Sequence, residues 1–322
     1  MPASDGAAAA LGAAAASTRF LLSRQSGDGS WSDWDLPPGP SDQWTTAYIA
    51  GRLAAAPGAL ASLSTTARSR AAAWLIEREF AGGGWGYRAS VGPDADSTAW
   101  ALLFLAGEGA PVSSTSYEFL VSFQRPDGGF STYPADAGLG SWCNSQVDVT
   151  AVAARALLWT RHSAYGCVVD AALRYLAQNR GPDGAWGSFW WASPLYATAA
   201  VLTLLRDAGV AGDPEIIEPW VDASVPGNPF EQALLLECLV QSGRADAAAA
   251  QVVLDVLLGE QLPDGSWPSV PVLRLADRGV AAGVGSVPTG PLFGDPHRLF
   301  TTATVLAAVS SFLVNRSATS NG

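Results

Sequence analysis

Two carboxylates two residues apart, Asp94 and Asp96, stand directly before an apolar run in Asp94-Ala95-Asp96-Ser97-Thr98-Ala99. At the start of a buried helix such a pair interacts through its charges, and ionisation of one acid raises the pKa of the other. The outcome is a protonated acid in apolar surroundings, the kind of group that donates a proton to an alkene or an epoxide. The same residue type also caps helices, because a carboxylate accepts hydrogen bonds from the first free N–H groups. On spacing alone both readings of the pair stand. Asp148 and Glu231 also precede apolar runs, and as isolated acids they read more simply as caps.

Aromatic side chains gather beside these acids in the sequence pattern: Trp142, Phe189, Trp190, Trp191 and Tyr196. An aromatic face stabilises a cation by ~0.5–2 kcal/mol, so together they suit a cavity that holds a carbocation. Each is equally suited to packing between helices. His297, in Gly294-Asp295-Pro296-His297, is a candidate to orient an acid or to act as a base. His162 follows the C-terminal end of an apolar segment, where an imidazolium complements the helix dipole.

What positions these groups is a repeat. A turn recurs at Gln25–Trp31, Gly83–Gly86, Gln124–Phe130, Pro182–Gly187 and Gln261–Trp267, four times carrying Asp-Gly before an aromatic. Asp bonds the nearby backbone and Gly accepts positive φ, so the dipeptide turns the chain. Thr-Ala then opens an apolar segment at Thr46, Thr98, Thr150, Thr198 and Thr302, at intervals of 52, 52, 48 and 104 residues. The last interval is two periods, and Phe230–Val240 fills the gap with Ala233 in the threonine's place. Segments such as Ala99–Leu105 and Ala151–Leu158 are apolar all round and therefore buried, whereas Ala67–Phe80 and Val168–Gln178 keep a polar face. The expected fold is all-α: one (α/α)6 barrel of six outer–inner helix pairs spanning residues 1–322. All six inner helices then begin at one mouth, where their N–H groups converge. The residues two before each threonine position line that mouth: Trp44, Asp96, Asp148, Tyr196, Glu231 and Phe300.

Composition narrows the chemistry. Hydrophobic residues make up 48% and charged residues 15%, enough for a large core and too little charge for disorder. A net charge of -11 argues against nucleic acid and against attraction to an anionic membrane, leaving only a peripheral membrane contact open. The alanine-rich Ala7–Ala16 reads as a first helix rather than a leader, and a soluble cytoplasmic protein is expected. No GxGxxG, GxxxxGK[ST] or GxSxG pattern occurs, and two histidines leave little for a triad. Three scattered cysteines offer no metal or disulfide pattern, so no metal and no cofactor is expected.

The turns and the acid pair together resemble a known family. The Gln…Asp-Gly-x-Trp turns resemble the QW motifs of squalene–hopene and oxidosqualene cyclases, and Asp94–Ala99 resembles their DxDDTA motif. Phe123–Phe130, Val147–Ala151, Asp183–Tyr196 and Thr289–Asp295 follow the family's catalytic domain in order. The resemblance implies a class II terpene cyclase. Asp96 would protonate a small-molecule isoprenoid or meroterpenoid alkene or epoxide, with Asp94 as partner in the acid network. It implies that Trp190 faces the cation and Tyr196 lies near the acid. Trp44, Trp142, Asp148, Phe189, Trp191, Phe293, His297 and Phe300 complete the expected substrate wall.

Two departures stand out. Ser97 replaces the last acid of DxDD, and Trp142-Cys143-Asn144 offers no histidine against the acid. The family's second barrel has no counterpart, so a shorter or partly exposed substrate is expected. The zinc motif of protein prenyltransferases, Asp-x-Cys, would fall at Asp148-Val149-Thr150, where the cysteine is missing. Few basic residues offer a phosphate clamp, which favours an uncharged substrate. Two other readings remain: a non-catalytic barrel binding a prenyl chain or a protein, and an acid-catalysed enzyme acting on another substrate. For the last, glycoside hydrolases also pair carboxylates, as Asp96 with Asp148 or Glu231 would.

Overall fold

The computed structural model describes residues 3–160, 163–210, 225–245, 247–279 and 288–319. The alanine-rich N-terminal run forms α1 (Ala3–Ser23), and α2 (Gln43–Ala54), α3 (Ala59–Leu63) and α4 (Thr65–Ile76) follow. Next come α5 (Ala95–Gly107), α6 (Ser114–Val121), α7 (Val147–Trp159), α8 (Gly166–Gln178) and α9 (Pro194–Asp207). The described chain ends with α10 (Pro229–Gln241), α11 (Ala248–Gly259) and α12 (Leu299–Thr319). Helices α2, α5, α7, α9, α10 and α12 each pack on the next, and α12 packs back on α2, closing an inner ring. Their apolar faces all round find this solution: in α5 every residue from Ser97 to Leu105 is buried.

Helices α1, α4, α6, α8 and α11 form the outer layer. The outer segment expected between α9 and α10 falls at 211–224, outside the described residues, as does His162. Two small hairpins cover the mouth end: β1 (Asp33–Leu36) with β2 (Gly39–Ser41), and β3 (Leu273–Arg274) with β4 (Leu292–Phe293). Among the described residues α12 is long and apolar enough to cross a membrane, yet that window is 72% buried as the sixth inner helix.

The turn and the Thr-Ala signal are two halves of one joint. The backbone N–H groups of Trp31, Trp85, Phe130, Trp186 and Trp267 donate to the hydroxyls of Thr46, Thr98, Thr150, Thr198 and Thr302, at 2.7–3.3 Å. The four indole N–H groups reach back ten residues to Leu21, Leu75, Leu176 and Leu257 carbonyls at 2.7–2.8 Å. Each joint therefore ties the end of an outer helix to the start of an inner one, satisfying backbone groups that a helix end leaves free. Gln25, Gln124 and Gln261 extend the tie to carbonyls of the next outer helix, the last reaching Ala13 in α1. The turn glycines are forced twice over. Gly29 and Gly265 have φ of 103° and 89°, and a Cβ there would meet Arg70 O at 2.8 Å or Ala16 O at 2.6 Å.

The degenerate unit differs by one residue from expectation. Thr46, Thr98 and Thr150 each donate their backbone N–H to the N-cap carbonyl, and in α10 the residue that does so to Asn228 is Gln232. Gln232, not Ala233, therefore stands in the threonine's place. The corresponding mouth residue is Phe230, which is fully buried. Glu231 turns to the cap instead, accepting from Asn228 Nδ2 at 2.9 Å.

Candidate active site

The acid pair divides its two roles. Asp94 is the N-cap of α5: Oδ1 accepts from Ser97 N–H at 2.8 Å, and Oδ2 from the Ser97 hydroxyl at 2.7 Å and Tyr87 N–H at 3.1 Å. Burial outweighs these bonds and pushes its pKa up to about 6. Ser97, where the family motif has an acid, is thus a donor that anchors Asp94. Asp96 is the second residue of the helix and caps nothing; no helix N–H bonds its carboxylate, and the Trp44 indole faces it. Its pKa is raised well above the ordinary carboxylate range, first by burial and then by the charges of Asp94 and Asp148. Opposing this is the Trp44 indole N–H, which approaches the Asp96 carboxyl as a donor without reaching full hydrogen-bond geometry.

Asp148 occupies the same place on α7 but is committed to the backbone. Its Oδ2 accepts from the N–H groups of Phe189 and Trp190 at 3.0 and 2.9 Å. That grip sets the position of Trp190, whose indole N–H donates to Thr132 Oγ1 at 2.8 Å. The Thr132 hydroxyl in turn donates to Gln146 Oε1, and its carbonyl accepts from Ala95 N–H at 3.0 Å. One residue therefore links the Trp190 ring to the start of the acid-bearing helix. Burial raises the pKa of Asp148 despite its donors.

A cavity of about 340 Å³ opens above Asp96, within the range of small-molecule sites. Asp94, Asp96, Trp44, Trp142, Trp190 and Trp191 line it. Below lies a stacked aromatic floor: Trp191 on Tyr196 (4.2 Å), Phe230 (5.2 Å) and Phe300 (5.0 Å), with Trp44 on Phe300 (5.1 Å). Tyr196 is buried with its hydroxyl unpartnered, and Phe300 is fully buried. Phe189 sits behind the wall, edge-on to Trp190 at 5.1 Å. Trp142 packs edge-on to the other side of Trp190, also at 5.1 Å.

Two predicted wall residues lie elsewhere. Phe293 belongs to β4 and packs half-buried outside the cavity lining. His297 is exposed, and it is its backbone N–H that is engaged, donating to Asp33 Oδ1 at 3.0 Å. Asp33 also accepts from Leu299 N–H at 2.8 Å, so the chain before α12 is shaped by a cap supplied in trans and the imidazole points away. Residues that sequence reasoning missed include Thr132, Tyr87, Tyr133, the Leu36–Pro38 tip and the Leu273–Arg278 segment. Tyr87 and Thr132 each follow a turn aromatic, Trp85 and Phe130, by two residues, a spacing that could have found them; the others belong to no repeat position.

The arrangement can hold a proton on Asp96 against an apolar, aromatic-walled space. Among the described residues no cluster of three His, Cys, Asp or Glu side chains is placed to bind a metal.

Comparison with known protein families finds no matching family model. The chain is 26% identical over 219 residues to the squalene–hopene cyclase of Alicyclobacillus acidocaldarius, covering 54% of this chain and 35% of that protein. It is 30% identical over 224 residues to the drimenyl diphosphate synthase of Streptantibioticus cattleyicolor, covering 61% and 40%. The chain thus spans about a third to two fifths of the length of these relatives. A type II terpene cyclase from Scytonema, solved with geranylgeranyl dihydroxybenzoate as substrate, superposes with a TM-score of 0.81 at 25% identity, over 97% of this chain and 99% of that one.

Proposed function

We propose, from the chain's membership of the terpene cyclase superfamily, that it is a class II cyclase in which Asp96 starts the reaction by protonating an isoprenoid. The observation that carries this is the setting of Asp96: a half-buried carboxyl, bonded by no helix N–H and faced by the Trp44 indole, in the lining of a tryptophan-walled cavity. The Asp96 O–H bond breaks as a C–H bond forms at the terminal alkene carbon, or as an epoxide oxygen is protonated. The resulting cation is attacked by the next double bond of the folded chain, and the final cation loses a proton to a base or to water. Trp44, Trp190 and Trp191 offer ring faces to the positive charge. Asp94, ionised above about pH 6, holds the proton on Asp96 by like-charge repulsion. The reaction is isomerisation by charge and shape, and the reading takes the barrel as a single domain working in the cytoplasm.

The competing readings fit the geometry less well. If both acids were caps, Asp96 would bond helix N–H groups, and it is Asp94 that does. A paired-carboxylate hydrolase needs a second free acid facing the first. Asp148 Oδ2 is held by two backbone N–H groups, and Glu231 lies at a cap. Mass spectrometry of products from geranylgeranyl diphosphate, a geranylgeranyl-substituted benzoate and a terminal epoxide tests the proposal. A product isomeric with its substrate and short of double bonds supports it; recovery of every linear substrate unchanged would refute it.

A further inference from the structure

Four buried or half-buried arginines find acids, Arg52 with Glu237, Arg68 with Glu108, Arg155 with Asp207 and Arg298 with Asp264, while Arg70, Arg88 and Arg125 bond carbonyl or hydroxyl oxygens. At the cavity two pair with no acid. Arg274 is buried in the wall, and its Nη1 donates to the carbonyls of Trp191 and Phe189 at 2.8 and 3.1 Å, with no carboxylate in ion-pair range. Arg278 is exposed at the rim, its guanidinium 4.6 Å from the centre of the Trp142 ring, and its side chain makes no ion pair or hydrogen bond among the described residues. The segment that carries both is pinned to the wall: Trp142 Nε1 donates to Ala276 O at 2.7 Å and Ser141 N–H to Arg278 O at 2.9 Å. In a chain of net charge -11, two unpaired guanidiniums on one fixed segment form a local cationic edge against the global charge.

Resting on the cyclase reading, we infer that the substrate carries an anionic head group, a carboxylate or a diphosphate, held by Arg274 and Arg278 while its far end reaches Asp96. A guanidinium presents a planar fork that matches both anions, and a cation partly withdrawn from water gains more from such a partner than an exposed one. The Trp142 ring holds the Arg278 plane in place. The neighbouring charges are Asp148, which bears on Arg274, and Asp277, which already accepts the Thr289 hydroxyl at 2.8 Å. This reverses the expectation of an uncharged substrate: basic residues are few, but the fold brings two to the site.

Titration calorimetry on the Asp96→Asn protein, where binding is read without turnover, tests the inference with geranylgeranyl diphosphate, a geranylgeranyl-substituted benzoate and geranylgeraniol. At least one anion should bind about tenfold or more tighter than the alcohol, the effect of one charge-assisted hydrogen bond. Its rank against the other tells carboxylate from diphosphate. Arg278→Ala should remove most of that preference and leave the alcohol's affinity unchanged, whereas Arg278→Lys retains part of it. Arg274→Gln should act likewise; because Arg274 also braces the 189–191 backbone, the Arg278 variants decide the matter if that protein fails to fold. An alcohol bound as tightly as both anions, or a preference untouched by Arg278→Ala, would overturn the inference. Cyclisation of all three compounds without head-group preference would sink it while sparing the cyclase reading. Selective anion binding with no cyclisation would do the reverse.

Discussion

At the scale of the residue, the acid pair shows how two readings of one motif are both right for different members. Asp94 is the cap, with extended backbone, and Asp96 lies in the first helical turn, so the two do not share a role. The first bonds back over the helix end and the second faces the cavity. The sequence held both carboxylates and their apolar setting, but it could not say which one the N–H groups would take. His297 was misjudged for a related reason: nearness to a helix start says nothing of direction, and Asp33, 264 residues away in sequence, fixes the local backbone. The pair also predicts a pH response. Asp96 must be protonated to act, so activity is present below its raised pKa and is lost as pH rises through it. Ionised Asp94 helps to keep that pKa high. Asp94→Asn, which retains a capping oxygen, should therefore move the alkaline limb of the kcat–pH profile to lower pH. A limb that stays in place would show that Asp94 exerts no charge on Asp96.

At the scale of the element, the repeat was legible because each joint needs particular atoms. A threonine hydroxyl, a turn glycine and an indole N–H recur since each satisfies a backbone group or fits a close approach. Where another residue takes the position, identity fails as a guide; Gln232 stands in the threonine's place, and only counting from the Asn228 cap reveals it. The irregular β3–β4 hairpin, which supplies Arg274 and Arg278, was not legible at all, because no period governs it. The joints should be energetically interchangeable. Thr98 Oγ1 accepts from Trp85 N–H at 3.0 Å and donates to Trp85 O at 3.1 Å, and Thr46 does the same for Trp31 at 2.9 and 3.1 Å. Thr98→Val and Thr46→Val, each stranding a buried N–H and C=O, should each cost about 1–3 kcal/mol in urea denaturation. Unchanged midpoints would mean the hydroxyls are dispensable.

At the scale of the molecule, the barrel keeps a set of acids more protonated than they would be in water. Burial pushes Asp94 and Asp295 up to about 6, and Asp33, Asp96 and Asp148 are raised as well. The folded state therefore binds protons that the unfolded chain, with ordinary carboxylates near 3.8, has released. Stability must then fall as pH rises from about 4 through 6, by an amount on the order of 2–3 kcal/mol for each of Asp94 and Asp295. Acids with lowered pKa, such as Asp207 and Asp28, lose their contribution only below the ordinary carboxylate range. The urea midpoint should thus be higher near pH 5 than near pH 8, and Asp96→Asn should raise it at pH 8. A midpoint that climbs toward alkaline pH would contradict the burial of these acids.

The same fold that bears this cost delivers a proton donor that caps no helix into an aromatic cavity, and that is the claim to test most directly. Reaction of the wild-type protein and Asp96→Asn with linear isoprenoids in D2O, followed by mass spectrometry and NMR of the products, reads the proton itself. For alkene substrates the wild-type product should carry one deuterium at the carbon that began as the chain's terminal alkene, and Asp96→Asn should form no cyclic product. A cyclic product made at the wild-type rate by Asp96→Asn, or one without deuterium at that carbon, would contradict it.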